Sequence, residues 1–166
     1  DVQRLQLIAE RFSKIGSLPE LKQTDIAEVV THVVDYLRCR ASNRVSISAN
    51  LPENVVQVPL CAPLFEWVVE NLCKNAIDAM DSKGEILISV SRDHSHCIIE
   101  VADTGKGIPS GRWESIFLPG YTTKSRGWGL GLSLARRIVE EYHKGRIFVR
   151  SSDPINGTVF RIELKA

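Results

Sequence analysis

The sequence predicts a two-layer α+β fold, in which about five strands form a sheet and about three helices cover one of its faces. Helical periodicity dominates the early part of the chain, whereas strands with alternating apolar residues dominate the late part. With 166 residues and 43% hydrophobic content, the chain can form one domain with a substantial core. A sheet with one apolar face needs a cover, which the amphipathic helices can provide.

The early part of the chain contains most of the predicted helices. Residues 2–15 carry apolar side chains at helical spacing, and Gly16 ends that pattern. Residues 17–24 are predicted to be a linker. Asp25, followed three residues later by Glu28, resembles a capping box and predicts the start of the second helix. The remaining elements of this part are a strand over 44–52 and the longest helical pattern, over 63–80.

The late part of the chain contains two predicted hairpins. Strand patterns over 84–92 and 96–103 are joined by a short polar turn, which predicts an antiparallel hairpin. The stretch 104–131 lacks regular pattern, and a loop of that length inside a compact domain is commonly functional. It is followed by a predicted amphipathic helix over 132–143 and by two strands, over 146–151 and 158–164.

Composition excludes several functional classes. The 21 basic and 20 acidic residues give a net charge of +1, which offers no electrostatic reason to expect nucleic acid as a partner. No apolar run approaches the roughly 18 residues of a membrane span. The four cysteines form no C-x-x-C pair, which argues against a zinc site, and Cys39, Cys73 and Cys97 are predicted to be buried free thiols. Because the chain begins with Asp1, we expect a fragment of a longer protein.

Three polar side chains share one face of the longest predicted helix. Asn71, Asn75 and Asp78 lie at positions i, i+4 and i+7, so they form a single stripe. Asparagine rarely stabilises a helix interior, and two asparagines one turn apart indicate a binding role. Plain exposure to solvent explains the same pattern equally well.

The segment DTGKGI follows an apolar strand. Asp103 has only acceptors for hydrogen bonds, which suits an exocyclic amine such as that of adenine. Gly105 and Gly107 would let the backbone approach a flat ring. An ordinary Asp-Gly turn is the simpler explanation.

The segment TTKSRGWGLGLS combines two cations with three alternating glycines before a predicted helix. Lys124 and Arg126 could bind phosphate together with the free amides and the positive dipole end of that helix. The spacing matches neither the dinucleotide-binding fingerprint nor the Walker P-loop. A flexible basic loop is the alternative.

These segments become specific in combination. ENLCKNAIDAM, DTGKGI, IFLPGYTTK, GWGLGLS and the GT at 157–158 follow one another in the order of the N, G1, F, G2 and G3 boxes of the GHKL ATPase superfamily. From about Ile26 onward, the chain resembles the ATP-binding catalytic domain of bacterial sensor histidine kinases. The resemblance implies the Bergerat fold, with a mixed sheet and a mobile ATP lid over about 110–127.

The resemblance also implies the site. Asn75 would hold Mg²⁺ and act with Lys124 in catalysis, Asp103 would read adenine, and Thr158 would assist it through water. Phe117 and Tyr121 would be the apolar anchors of the lid. The complete set of implied ATP-binding residues is Asn71, Lys74, Asn75, Asp78, Asp103, Gly105, Gly107, Ile108, Tyr121, Thr122, Thr123, Lys124, Ser125, Arg126, Gly127, Trp128, Gly129, Leu130, Gly131, Leu132 and Thr158.

Two departures from related proteins matter for the chemistry. Relatives that hydrolyse ATP carry a glutamate one turn before the metal-binding asparagine, whereas this chain has Asn71, which cannot take a proton from water. Many histidine kinases place a basic residue three positions after that asparagine, where this chain has Asp78. We therefore expect transfer of the γ-phosphate of Mg-ATP to a better nucleophile than water.

The acceptor histidine is expected outside this chain, because none of the four histidines has the sequence context of a phosphoacceptor. We expect residues 1–18 to be the end of the dimerising acceptor hairpin and residues 19–166 to be the ATP-binding domain. The resemblance implies a response regulator as partner, a dimeric parent protein, a monomeric fragment and a cytoplasmic location, with which an inner-membrane anchor elsewhere in the parent is compatible. A serine kinase of the anti-sigma-factor type and a degenerate interaction module are the alternatives.

Overall fold

A computed structural model describes residues 19–120 and 131–166 of the chain. The predicted helix over 2–15 and the predicted phosphate-binding segment over 121–130 lie outside the described residues. No helix in the described ranges is long and apolar enough to cross a membrane.

The main sheet has five strands, as the alternating apolar patterns predicted. In chain order these are β2 (Val45–Asn50), β4 (Gly84–Arg92), β5 (His96–Asp103), β6 (Arg146–Asp153) and β7 (Gly157–Lys165). The spatial order is β2-β4-β5-β7-β6, with β2 and β4 parallel and every other neighbouring pair antiparallel. The sheet is therefore mixed, and the predicted fold class is confirmed.

Three α-helices occur in the described parts of the chain: α1 (Ile26–Arg38), α2 (Ala62–Ala79) and α3 (Gly131–Arg137). Asp25 caps α1, since its Oδ1 accepts a hydrogen bond from the N–H of Ala27 at 3.0 Å. The apolar stripes of the helices pack on the apolar face of the sheet, and Phe65 of α2 is fully buried in that layer. This packing fixes α2 against the sheet and brings its polar stripe to the edge of the core.

The structure corrects three predictions. The predicted linker over 17–24 overlaps β1 (Lys22–Asp25), which pairs antiparallel with a strand absent from the predictions, β3 (Gln57–Leu60). The predicted helix over 132–143 begins one residue earlier and is α-helical only to Arg137, because residues Ile138–Tyr142 form a π-helical turn. Cys39 is exposed rather than buried, since it caps the carboxyl end of α1.

The register of the central strands positions the site. In the β5–β7 pair, Ala102 lies opposite Val159, so the end of β5 meets the beginning of β7. In the β6–β7 pair, Ser152 lies opposite Thr158. Asp103 therefore lies beside the tip of the β6–β7 hairpin.

Candidate functional site

Asp103 is a buried carboxylate with one oxygen satisfied by the protein. The residue is 5% exposed, and its Oδ1 accepts hydrogen bonds from the backbone N–H groups of Gly105, at 2.8 Å, and Thr158, at 3.3 Å. Its Oδ2 makes no hydrogen bond with the residues of 19–120 and 131–166. Burial raises the pKa of the Asp103 carboxyl, and the two N–H donors oppose that rise. The second oxygen is thus available to accept a donor from a ligand.

Ser152 connects the loop after β5 to the β6–β7 hairpin. Its Oγ accepts a hydrogen bond from the N–H of Ile108 at 2.6 Å and shares a hydrogen bond with the Thr158 hydroxyl at 2.7 Å. Thr158 is 2% exposed and thus lies inside this arrangement. Ser152 had no predicted role. The only signal for it was its position at the end of a strand, five residues before the GT pair.

The glycines around Asp103 make close contacts with the protein's own backbone. A Cβ at Gly105 would lie 2.8 Å from the carbonyl oxygen of Ala79, and one at Gly107 would lie 2.7 Å from the carbonyl oxygen of Asp153. At Gly157, where φ is +79°, a Cβ would overlap the carbonyl oxygen of Asp103. The structural reason for these glycines is therefore the close packing of the loop on α2 and on the hairpin.

The polar stripe of α2 is present as predicted. Asn71 and Asn75 are half-buried, whereas Lys74 and Asp78 are exposed. A Cβ at Gly131 would lie 2.7 Å from Asn71 Oδ1, so the first residue of α3 passes directly over the Asn71 amide. The Nδ2 of Asn71 is buried without a hydrogen-bond partner in the described structure. A buried unpaired donor beside a helix N-terminus fits an anionic ligand.

The first part of the predicted lid is held by the core. Phe117 is 3% exposed, meets Phe160 edge-on with ring centroids 6.2 Å apart, and lies under the guanidinium of Arg136 at 4.4 Å. Glu114 accepts a hydrogen bond from Arg136 at 2.6 Å, and Trp113 Nε1 donates to the carbonyl of Ile108 at 2.8 Å. Residues 110–120 are thus anchored to the core, as predicted for Phe117.

The remaining predicted lid and phosphate contacts, residues 121–130, lie outside the described residues. After them the described residues continue with Gly131, the first residue of α3, and with Leu132, which is half-buried in the first turn of that helix.

The histidines have surface or structural positions. His32 is exposed and contacts Glu66 at 2.9 Å, and His94 and His96 lie at the β4–β5 turn. In buried His143, Nε2 accepts a hydrogen bond from the N–H of Cys61 at 3.1 Å, and Nδ1 donates to the carbonyl of Ile138 at 2.9 Å. Burial lowers the pKa of His143, which keeps the ring neutral.

The described ranges contain no group of three or more His, Cys, Asp and Glu side chains that could hold a metal ion alone. Asn75 offers an amide oxygen, a ligand type that Mg²⁺ accepts when phosphates and water complete its shell. The residues therefore fit a magnesium ion that arrives with a phosphorylated ligand.

The comparisons with known proteins agree with this geometry. Residues 62–166 match the family model described as "Histidine kinase-, DNA gyrase B-, and HSP90-like ATPase". Sporulation kinase E of Bacillus subtilis (strain 168) is 32% identical over 99% of this chain, which spans 22% of that protein's length.

Two solved structures are also similar. The nucleotide-free catalytic domain of histidine kinase ThkA is 28% identical, with a TM-score of 0.80 over 89% of this chain and 96% of that one. Histidine kinase ThkA in complex with response regulator protein TrrA is 26% identical, with a TM-score of 0.78 over 99% of this chain and 48% of the kinase chain. The chain therefore belongs to the histidine kinase-, DNA gyrase B- and HSP90-like ATPase family, as an ATP-binding catalytic domain of the histidine-kinase type.

Proposed function

We propose that this domain binds Mg-ATP and presents the γ-phosphate to a histidine supplied by the remainder of a sensor histidine kinase. Two features of the described residues support the proposal. Asp103 keeps one carboxylate oxygen for a ligand donor, and the buried Asn71 amide lies under the first residue of α3. The first feature suits a purine amine and the second suits phosphate.

The base end of the site is formed by Asp103 and Thr158. The carboxylate accepts a hydrogen bond from the exocyclic amine of adenine, while Oδ1 remains held by the backbone. Guanine has a carbonyl oxygen at the corresponding position and offers no donor there. The site therefore favours ATP over GTP.

The phosphate end is formed by the polar stripe of α2 and the beginning of α3. Asn75 would hold Mg²⁺ through its amide oxygen, and the ion would neutralise charge on the phosphates. Lys124 and Arg126 are the further cations we propose for the phosphates, with exposed Lys74 a weaker candidate. Phosphoryl transfer requires mainly positioning and charge neutralisation, which these groups supply.

The proposed partners follow from the same reaction. The phosphoryl acceptor would be a histidine on a helical hairpin, of which we propose residues 1–18 are the end, and residues 19–166 would be the catalytic domain. ThkA forms a complex with a response regulator, and we propose a response regulator as the final acceptor here. The similar catalytic domain of ThkA is that of a histidine kinase, and no observation on the described residues favours a serine kinase or a degenerate interaction module.

The metal assignment is tested by Asn75→Ala. We expect this variant to lose magnesium-dependent ATP binding, because it removes the protein ligand of the ion, while the fold is retained. Calorimetry with ATP, in the presence and absence of magnesium, measures the effect. Asn43→Ala, at an exposed position before β2, is the matched control. Unchanged magnesium-dependent affinity in Asn75→Ala would contradict the assignment.

The phosphotransfer itself is tested with a separate acceptor hairpin and labelled ATP. We expect an acid-labile, base-stable phosphoryl product on the hairpin. Recovery of acid-stable phosphate on serine would instead support the serine-kinase alternative, and binding of no nucleotide at all would support the interaction module.

A further inference from the structure

Ser152 lies where the three segments around Asp103 meet. Its Oγ accepts a hydrogen bond from Ile108 N–H at 2.6 Å, and it is 2.7 Å from the Thr158 hydroxyl oxygen. The N–H of Thr158 donates to Asp103 Oδ1 at 3.3 Å. Ser152 therefore links the loop after β5 to the residue that holds the carboxylate.

The two hydroxyl groups leave one proton for a further acceptor. Ser152 and Thr158 carry one hydroxyl proton each and share one hydrogen bond. Ile108 N–H already donates to Ser152 Oγ. If Ser152 in turn donates to Thr158, the two hydrogen bonds run in the same direction and the first polarises the second. The Thr158 hydroxyl proton is then available to another acceptor, in a residue that is 2% exposed and whose backbone N–H donates to Asp103.

We propose that Ser152 is a positioning residue that holds the Thr158 hydroxyl as a donor beside the Asp103 acceptor, and thereby sets the preference for adenine over guanine. This inference rests on the proposed function, since it requires a purine base at Asp103. On its pairing edge, adenine has an amine donor next to a ring-nitrogen acceptor, whereas guanine has a carbonyl acceptor next to an N–H donor. An acceptor at Asp103 next to a donor at Thr158 is complementary to adenine and opposed to guanine.

The test is the ratio of ATP to GTP affinity, measured by calorimetry with magnesium. Loss of one neutral hydrogen bond predicts that Ser152→Ala lowers this ratio roughly three- to tenfold, mainly through weaker ATP binding. Ser152→Thr keeps the hydroxyl and is expected to restore the ratio. Ser151→Ala changes the exposed neighbour and serves as the matched control, with no expected effect.

A double-mutant cycle separates this role from a general effect on the fold. In Thr158→Val, which lacks the hydroxyl, adding Ser152→Ala should lower the ratio no further, because the two residues act through one hydrogen-bond chain. Ser152→Cys, a similar side chain with a weak donor, is used if the alanine variant does not fold, and it should also lower the ratio.

The outcomes distinguish the inference from the function on which it rests. A wild-type chain that binds neither nucleotide would refute the proposed function. A wild-type chain that prefers ATP, together with a folded Ser152→Ala variant of unchanged ratio, would refute only the role of Ser152. Equal weakening of ATP and GTP, or additive effects in the Thr158→Val background, would refute that role as well.

Discussion

Replacement of Asp103 by asparagine separates the recognition of adenine from the stability of the fold. The substitution keeps the size of the side chain and removes its charge. In the structure, Oδ1 accepts from Gly105 N–H and Thr158 N–H, and asparagine can preserve both bonds only with its oxygen in that place. Its NH₂ group must then occupy the position of Oδ2. A donor would therefore face the donor amine of adenine.

The expected loss of ATP affinity follows from the hydrogen bond that the substitution removes. A hydrogen bond to a charged acceptor contributes about 1.5–3 kcal/mol, which corresponds to roughly 10- to 150-fold weaker ATP binding. GTP is expected to lose little or to bind better, because its carbonyl oxygen can accept from the new NH₂ group. Calorimetric titration with both nucleotides measures the change. Asp81→Asn, at an exposed position, is the control.

The expected effect on stability has the opposite direction. Burial raises the pKa of Asp103 in the folded state, so the ionised carboxylate destabilises the fold at neutral pH. This penalty is fully present above the folded pKa and decreases as the pH falls through that value. We therefore expect Asp103→Asn to unfold at an equal or higher temperature than the wild type at pH 7. Equal losses for ATP and GTP, or a strongly destabilised variant, would refute the reasoning.

Two further predictions concern the supporting structure. Gly157→Ala forces a side chain into positive φ and against the Asp103 carbonyl, so we expect destabilisation by roughly 2–5 kcal/mol in chemical denaturation; a loss below about 1 kcal/mol would contradict the close contact. Burial lowers the pKa of His143, so its contribution to stability is present above the unfolded pKa of about 6.5 and is lost as the pH falls from there through the folded pKa. His143→Asn should therefore flatten the decline of thermal stability below pH 6.5, whereas His94→Asn, in the exposed turn, should leave it unchanged.

The sequence predicted the elements with a strong periodic signal. The β4–β5 hairpin has the predicted bounds, 84–92 and 96–103, because its apolar residues alternate over two long strands. The pair of β1 and β3 was missed, since each strand has only four residues and Pro59 interrupts the pattern of the second. The π-helical turn after α3 was also missed, because a shift in backbone hydrogen bonding leaves the apolar periodicity nearly unchanged.

The candidate site was predictable where side-chain identity carries the chemistry. Asp103 and the α2 stripe follow from carboxylate and amide groups at particular positions, although their binding roles remain proposals. The hydrogen bonds that hold Asp103 come from backbone N–H groups, which every residue except proline has, so no residue type marks them. Ser152 depends on strand register, since only the pairing of β6 with β7 places it beside Thr158. The roles of the glycines depend on contacts with distant backbone, which their spacing in the sequence does not reveal.

The residues around the proposed phosphate end bear on whether water could be the phosphoryl acceptor. An amide stands at position 71, and it cannot accept a proton from an attacking water. Glu70 is the adjacent carboxylate, but it is buried and lies about 100° around α2 from Asn71. Among the histidines, His143 is not available to activate water, because both of its ring nitrogens form hydrogen bonds within the core. Under the proposed function, residues 70 and 71 therefore predict that transfer of the γ-phosphate depends on an added acceptor rather than on an activated water. Slow hydrolysis of ATP by the isolated chain, together with rapid transfer to an added hairpin, is the behaviour that this arrangement requires.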